Sequence, residues 1–407
     1  MQIFTYIKVF LKRNYPAFRH QNYRLYWLGQ TVSVTGTWMQ TIAQSWLVYK
    51  LTDSPFLMGL VGAAQFTPVL IFSLFAGVYL DRIPKKNLLL FTQFSMMILA
   101  FIMTGLVFFQ TVQYWHILIL ATLLGVANTM DMPARQTFMM ELVGKNHLTS
   151  AIALNSVTFN LARIVGPSLA GLLMAYFNIE ICFLINGLSF IVVIYFLVRM
   201  KTEKIVVKVK EKVTRQIKDG LKYVFADKLL MKSVTLLFVV GTLAVNYGIL
   251  IPVYTKEVLS ADAQVYGFLM SGLGLGAISG GLFISAKSEI LNRKFILNVF
   301  PFMISVSLFI IGFSTNFYLT FSLLFLNGVF NIFFFNTVNT TLQINSKAEY
   351  RGRVMSIYTM VFAGSTPFGN LIAGSLSDVV NIEAGFIGCA VLIAVFSLLI
   401  HKKIENS

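Results

Sequence analysis

Charge is what this sequence has least of. Asp, Glu, Lys and Arg together make up 12% of its 407 residues, against roughly 25% in a soluble domain. With a hydrophobic share of 57%, that shortage excludes an ordinary water-soluble fold. Acidic residues number only 16 against 32 basic ones, and none is expected in the middle of an apolar run. Two cysteines, Cys182 and Cys389, carry no metal-ligand spacing and no redox motif; both read as small apolar packing residues. Neither nucleotide fingerprint is present. Gly272, Gly274, Gly276, Gly280 and Gly281 fall inside an apolar run with no preceding strand and no Lys-Ser/Thr, so close helix packing explains them and ATP hydrolysis is not expected. No buried nucleophile–base pair or metal cluster is visible. The expectation is a protein that is not an enzyme and takes no cofactor and no metal.

What the chain has in abundance is long apolar segments. Runs at 25–49, 56–80, 88–109, 114–131, 147–177, 181–198, 233–255, 264–286, 296–314, 317–341, 352–377 and 384–400 are each long enough to cross a hydrocarbon core of about 30 Å as a helix. Strands of a membrane barrel would alternate over about ten residues instead. The fold class expected is therefore an all-α membrane protein with twelve transmembrane helices. If the N-terminus lies in the cytoplasm, all basic residues but Lys50, Lys256 and Arg163 fall on one side. This positive-inside pattern places both termini in the cytoplasm and makes anionic lipid the expected partner of the basic surface. No aromatic–basic binding motif accompanies the charge, so nucleic acid is not expected. Met1–Arg24 mixes aromatic and basic residues without a cleavage site, which suits an interfacial segment better than a signal peptide.

The longest polar stretch, 201–232, divides the spans six and six. The expected organisation is an N-terminal segment 1–24, a six-helix bundle 25–200, a cytoplasmic linker 201–232, a second bundle 233–401 and a tail 402–407. Span 2 ends with Gly77 four residues before Asp81, and span 8 ends in Gly281 through Lys287. Span 5 carries Gly166-Pro167 and Gly171, and span 11 carries Pro367, Gly369 and Gly374. Both landmarks recur at an offset of about 200 positions, as two diverged copies would give.

Gly77-x-x-x-Asp81-Arg82-x-Pro84-Lys85-Lys86 resembles the signature loop of the major facilitator superfamily, with Pro84 where that loop often has Gly. Further segments narrow the resemblance: Asn22 through Gln30, Gly36 through Gln40, Ala43 through Trp46, Pro133-Ala134-Arg135-Gln136, Ala153 through Ser156, and Arg351-Gly352-Arg353-Val354. Together they resemble the branch that contains the enterobactin exporter and the macrolide-efflux proteins, over essentially the whole chain. The resemblance implies two pseudo-symmetric six-helix bundles around a cavity lined by spans 1, 4, 7 and 10. It implies that Asp81 latches the halves by meeting the start of span 11, near Gly352 and Arg353. It also links Gly166-Pro167 and Gly171 with exporters. Physically, Pro removes one intrahelical hydrogen bond and Gly lets a partner helix come close, which suits a sliding surface and equally suits plain tight packing.

Arg163 is the most informative single residue. A guanidinium in the middle of a span costs at least about 2.5–3.5 kcal/mol, so it faces the bundle interior, a wet cavity or a partner. Two readings stand beside each other: a cation facing an anionic or catecholate substrate group, or an arginine satisfied by helix carbonyls and amides such as Asn160. Asp131 ends span 4, four residues before Arg135, and is expected to pair with Arg82 or Arg135 in a cytoplasmic gate. Cavity candidates, besides Arg163, are Gln40, Gln44, Gln65, Asn246, Tyr247 and Asn331. The expectation is a monomeric exporter of a small amphipathic compound, siderophore-like or macrolide-like, driven by the proton gradient in the bacterial inner membrane. An importer, a lipid flippase, or a membrane receptor without transport are the alternatives.

Overall fold

The computed structural model describes residues 15–80, 83–200, 213–287, 292–347 and 349–405. After a 3-10 turn at Pro16–Arg19 the described chain is helical throughout, joined by short turns. The first half holds α1 (Gln21–Thr52), α2 (Pro55–Leu80), α3 (Lys85–Phe108), α4 (Tyr114–Gly144), α5 (Asn146–Tyr176) and α6 (Glu180–Arg199). A shorter helix, α7 (Val213–Ala226), follows. The second half holds α8 (Lys228–Ala244), α9 (Tyr247–Glu257), α10 (Ala263–Lys287), α11 (Arg293–Phe313), α12 (Phe317–Asn345), α13 (Arg351–Val379) and α14 (Ile382–Glu405).

Ten candidate spans, with α8 and α9 counted as one, are long and apolar enough to cross a membrane. The expected spans 1 and 11, here α1 and α13, are missing from that set. Length is not the reason, since they run to 32 and 29 residues. Their composition is: Gln30, Ser33, Gln40 and Gln44 are buried on α1, and Ser365, Asn370 and Ser377 on α13. These are helices whose inner faces are polar.

Four boundaries differ from expectation. The first long helix opens at Gln21, not Leu25. Span 4 does not stop at Asp131 but runs on as α4 to Gly144, because Phe138, Met139, Leu142 and Val143 keep a buried face there. The chain breaks at Gly144, whose φ of 68° and ψ of 172° suit glycine and strain other residues. Span 7 is interrupted at Val245–Asn246, where Asn246 turns its amide back onto the Thr242 carbonyl at 2.8 Å. The polar stretch 201–232 contains α7, which docks on α13: Tyr223 stacks on Tyr350 at 4.3 Å and Asp219 lies 3.7 Å from Arg353.

Within each half the helices pack closely. Gly272 of α10 lies against Phe321, and Gly280 against Val329, both on α12, so this glycine run serves helix packing. Between the halves, α2 lies along α13 and α5 along α10. These two seams are copies of each other. A Cβ on Gly267 would lie 2.6 Å from the Pro167 carbonyl oxygen and 2.8 Å from the Gly171 Cα, so only glycine permits this approach. In the other seam, Gly59 faces the Asn370 carbonyl as Gly267 faces that of Pro167, and Gly374 meets Pro55 as Gly171 meets Ala263.

Candidate functional site

Two ends of the bundle can be told apart. The basic end carries the N-terminal turn, the start of α3, the Gly144 turn, α7 and the start of α13. The opposite end carries the α1–α2 turn, the start of α4, the α9–α10 turn and the end of α13. Most close seam contacts fall in the portions of α2, α5, α10 and α13 toward the opposite end, at residues 55–62, 163–171, 263–274 and 370–374, and Gly364 meets Leu70 at mid-helix. Ser168 and Ser271 share a hydrogen bond of 2.5 Å there.

At the rim of the opposite end, polar pairs cross the halves. Lys256 Nζ lies 2.5 Å from Asp53 Oδ1 and over the Tyr49 ring. The Tyr49 hydroxyl donates to Glu257 Oε1 at 2.5 Å, and the Ser54 hydroxyl donates to Asp378 Oδ1 at 2.6 Å. Lys256 stood out in the sequence only as a basic residue on the sparsely charged side. Its neighbours Asp53, Glu257 and Asp378 gave no pattern, because the pairing is across more than two hundred residues.

At the basic end, Asp131 is 2% exposed and lies inside α4 rather than at its end, because the helix continues past the apolar run that stops there. It accepts from Thr92 Oγ1 at 2.7 Å and Gln93 Nε2 at 2.8 Å, and pairs with Arg135. Burial makes this pair tight, and losing one partner would strand a buried charge. Of its two expected partners, Arg82 lies outside the described residues, as does Asp81, and with them the latch to span 11. Gly77 lies in α2 close to its end. Lys85 is buried, and Lys86 donates to the Met200 carbonyl at 2.6 Å, tying α3 to the end of α6. Gly352 faces open space at the start of α13, beside the Arg353–Asp219 contact.

The middle of the bundle divides the cavity candidates. Gln40 is turned toward α6, where its Oε1 accepts from Asn186 Nδ2 at 2.6 Å; this places it in the packing of the first half. Asn246 is taken up by the α8–α9 break. Gln44 and Gln65 have amides without a hydrogen-bond partner among the described residues. Tyr247 and Asn331 belong to one network: Asn331 Nδ2 donates to the Tyr247 hydroxyl at 2.9 Å, which donates to Asn327 Oδ1 at 3.0 Å. Asn327 in turn donates to Ser307 at 2.7 Å, and Asn331 Oδ1 is buried without a partner. Asn327 was not singled out in the sequence, although it precedes Asn331 by one helical turn on α12.

Arg163 lies near the middle of α5, at the junction with the second half. Its guanidinium carbon sits 5.7 Å from the centroid of the Trp38 ring on α1, with Phe159 edge-on to the same ring. Tyr247 of α9 is its other electrostatic neighbour. No hydrogen bond joins it to Asn160, whose Nδ2 donates to the Ser156 carbonyl at 2.8 Å. A ring face supplies about 0.5–2 kcal/mol, less than the cost of enclosing a guanidinium in a span.

The chain matches the family model for transmembrane secretion effectors over residues 13–406. It belongs to that family, in the efflux branch of the major facilitator superfamily. It is 26% identical over 357 residues to the staphyloferrin A transporter of Staphylococcus aureus, covering 86% of this chain and 88% of that one. It is 20% identical over 383 residues to macrolide efflux protein A of Streptococcus pyogenes, covering 92% and 93%. Among solved structures it resembles the nucleoside transporter NupG with a TM-score of 0.77 at 11% identity, covering 94% of this chain and 98% of that one. A bacterial homolog of the human lysosomal transporter Spinster follows with a TM-score of 0.74 at 9% identity, covering 95% and 98%. The chain is thus a multi-pass membrane transporter of the major facilitator fold, and a small molecule is its substrate.

Proposed function

We propose that this chain exports a small amphipathic compound across the bacterial inner membrane by alternating access, driven by the proton gradient. The observation that carries the reading is the one-sided closure of the seams. Matched glycines hold the halves together toward the opposite end, and exposed polar pairs finish the closure at its rim. The described polar pairs of the basic end lie within one half, or between α7 and the second half. Such an arrangement suits a form open toward the basic end, and rocking about the seams would open the other. With α1 and α13 counted there are twelve spans, and the basic charge puts both termini and the open end in the cytoplasm. Anionic lipid neutralises that surface, and a monomer suffices, since each bundle packs on the other half of the same chain.

The relatives named as macrolide and multidrug efflux proteins support outward movement. Exposed ion pairs are each worth under about 1 kcal/mol, so the closure at the opposite end is easily reversed, as a transport cycle requires. In this reading Asp81, Arg82 and the start of α13 close the basic end, and Asp131 with Arg135 helps that closure from within the first half.

The test is accumulation of fluorescent amphipaths and macrolides in efflux-deficient bacteria expressing the protein, with and without a protonophore, beside an Asp81→Asn variant. Lower accumulation, lost with the protonophore and in the variant, is expected. Unchanged accumulation of every compound, with the protein shown to be inserted, would overturn export.

A further inference from the structure

Arg163 differs from the other buried or paired cations of the bundle. Arg135 has Asp131, Lys256 has Asp53 and Arg353 has Asp219. Among the described residues, the Arg163 guanidinium has no carboxylate and no hydrogen-bond acceptor, only the Trp38 face and the vicinity of Tyr247. It remains partly accessible although it lies mid-helix at the junction of α1, α5 and α9. Five N–H donors in a planar fork are therefore left for something the chain does not supply.

A second positive feature lies on α9, whose Tyr247 is an electrostatic neighbour of Arg163. Span 7 is interrupted, so α9 starts in the middle of the bundle, at Tyr247. In its first turn Ile249 N–H donates to the Asn246 carbonyl at 3.0 Å, while the N–H groups of Tyr247 and Gly248 have no intrahelical acceptor and no side chain caps them. Room is left at that point: a Cβ on Gly248 would find only Ser45 Oγ, 3.7 Å away, within contact range. Interrupted spans place half-helix N-termini against anionic groups of substrates for this reason.

We propose that Arg163 and the start of α9 bind a carboxylate or like oxyanion of the cargo, so that the transporter selects organic acids over neutral and cationic amphipaths. The Trp38 and Phe159 rings and the Tyr247–Asn331 network then receive the remainder of the molecule. Asn331 Oδ1 offers an acceptor to a hydroxyl or amide of the acid. The inference rests on the export reading for its physiological sense, but its binding half can be tested without it.

The experiment has two arms. In the first, purified protein in neutral detergent is titrated with carboxyfluorescein, read by anisotropy, with naphthylacetate and citrate as competitors and naphthylacetate methyl ester as the neutral control. Saturable binding displaced by an acid and not by the ester is expected. It should weaken about tenfold or more in Arg163→Gln and be partly retained in Arg163→Lys, with unchanged melting temperatures. Equal binding by Arg163→Gln, displacement by the ester, or no saturable binding of any of the three acids would overturn the proposal. Displacement by glycerol phosphate but by neither acid would assign the site to lipid head groups and would overturn it too. In the second arm, efflux of carboxyfluorescein is compared with efflux of the cation rhodamine 6G. Loss of carboxyfluorescein efflux alone in Arg163→Gln supports the proposal. Carboxyfluorescein efflux unaffected by that substitution, or rhodamine 6G efflux lost to the same extent, sinks acid selection and leaves export standing. Arg163-dependent binding without efflux of either dye sinks export and leaves the anion site standing.

Discussion

At the opposite end, Tyr49, Asp53 and Ser54 of the first half reach Glu257, Lys256 and Asp378 of the second over 2.5 to 2.6 Å. At the basic end the described pairs are local: Asp131 with Arg135, His20 with His147 at 2.8 Å, Lys86 with the Met200 carbonyl, and Arg353 with Asp219 of α7. The chemistry differs as well as the connectivity. The cross-half ion pair Lys256–Asp53 is exposed and individually weak, whereas Asp131 is buried and hydrogen-bonded at both carboxylate oxygens. Strong interactions fix each half as a body, and weak ones decide how the bodies sit. A two-state device is built in that order.

The largest effect should come from breaking the strong side of this contrast. Asp131→Ala leaves Arg135, Thr92 and Gln93 without their acceptor, and should cost about 3–5 kcal/mol. A thermal melt in detergent would show it as a marked fall in melting temperature. Restoring stability by adding Arg135→Leu would confirm that the stranded charge, and not lost packing, is the cause. Gly267→Ala comes next, because its new Cβ meets backbone at 2.6 Å on Pro167 and cannot be accommodated by a side-chain rotation. Overpacking of this kind costs about 1–3 kcal/mol. Gly59→Ala in the matching seam should do the same, and a clear inequality between the two variants would show that the seams are not energetic copies.

Much of this was visible in the residues. The apolar runs, the polar stretch that divides them and the seam glycines of α5 all follow from composition and spacing. What stayed hidden has physical reasons. Asp131 reads as a helix end because the apolar run stops there; only the buried face through Phe138 and Val143 reveals that α4 continues. The α8–α9 break contains no Pro or Gly at the break itself; Asn246 supplies the lost backbone partner instead. Gln40 and Gln44 share a face by spacing, yet a helical period cannot say which neighbour that face meets, and Gln40 met Asn186.

Smaller effects sharpen the weak side of the comparison. Asp53→Asn with Lys256→Gln should change stability by less than about 1 kcal/mol while shifting the balance between the two forms. The wild type should lose the same difference in high salt, since exposed pairs are screened. The smallest effect concerns His20, whose pKa is lowered from its ordinary 6.5 by burial first and by His147 second. The folded form thus favours the neutral ring. Its stabilising contribution is complete above about pH 6.5 and is lost as pH falls through the lowered value. A slight fall in melting temperature between pH 7 and pH 5, diminished in His147→Gln, would be the sign.

The central claim is that the ends move oppositely, and it can be tested without knowing the cargo. Spin labels at Thr111 and Tyr318 report the opposite end, and labels at Asn146 and Gln343 report the basic end, all four positions being exposed. Distances by double electron–electron resonance would be compared in the wild type and in Asp53→Asn/Ser54→Ala, which weakens the cross-half closure. Alternating access predicts that the first distance lengthens in the variant as the second shortens. A longer first distance with an unchanged second one would contradict it.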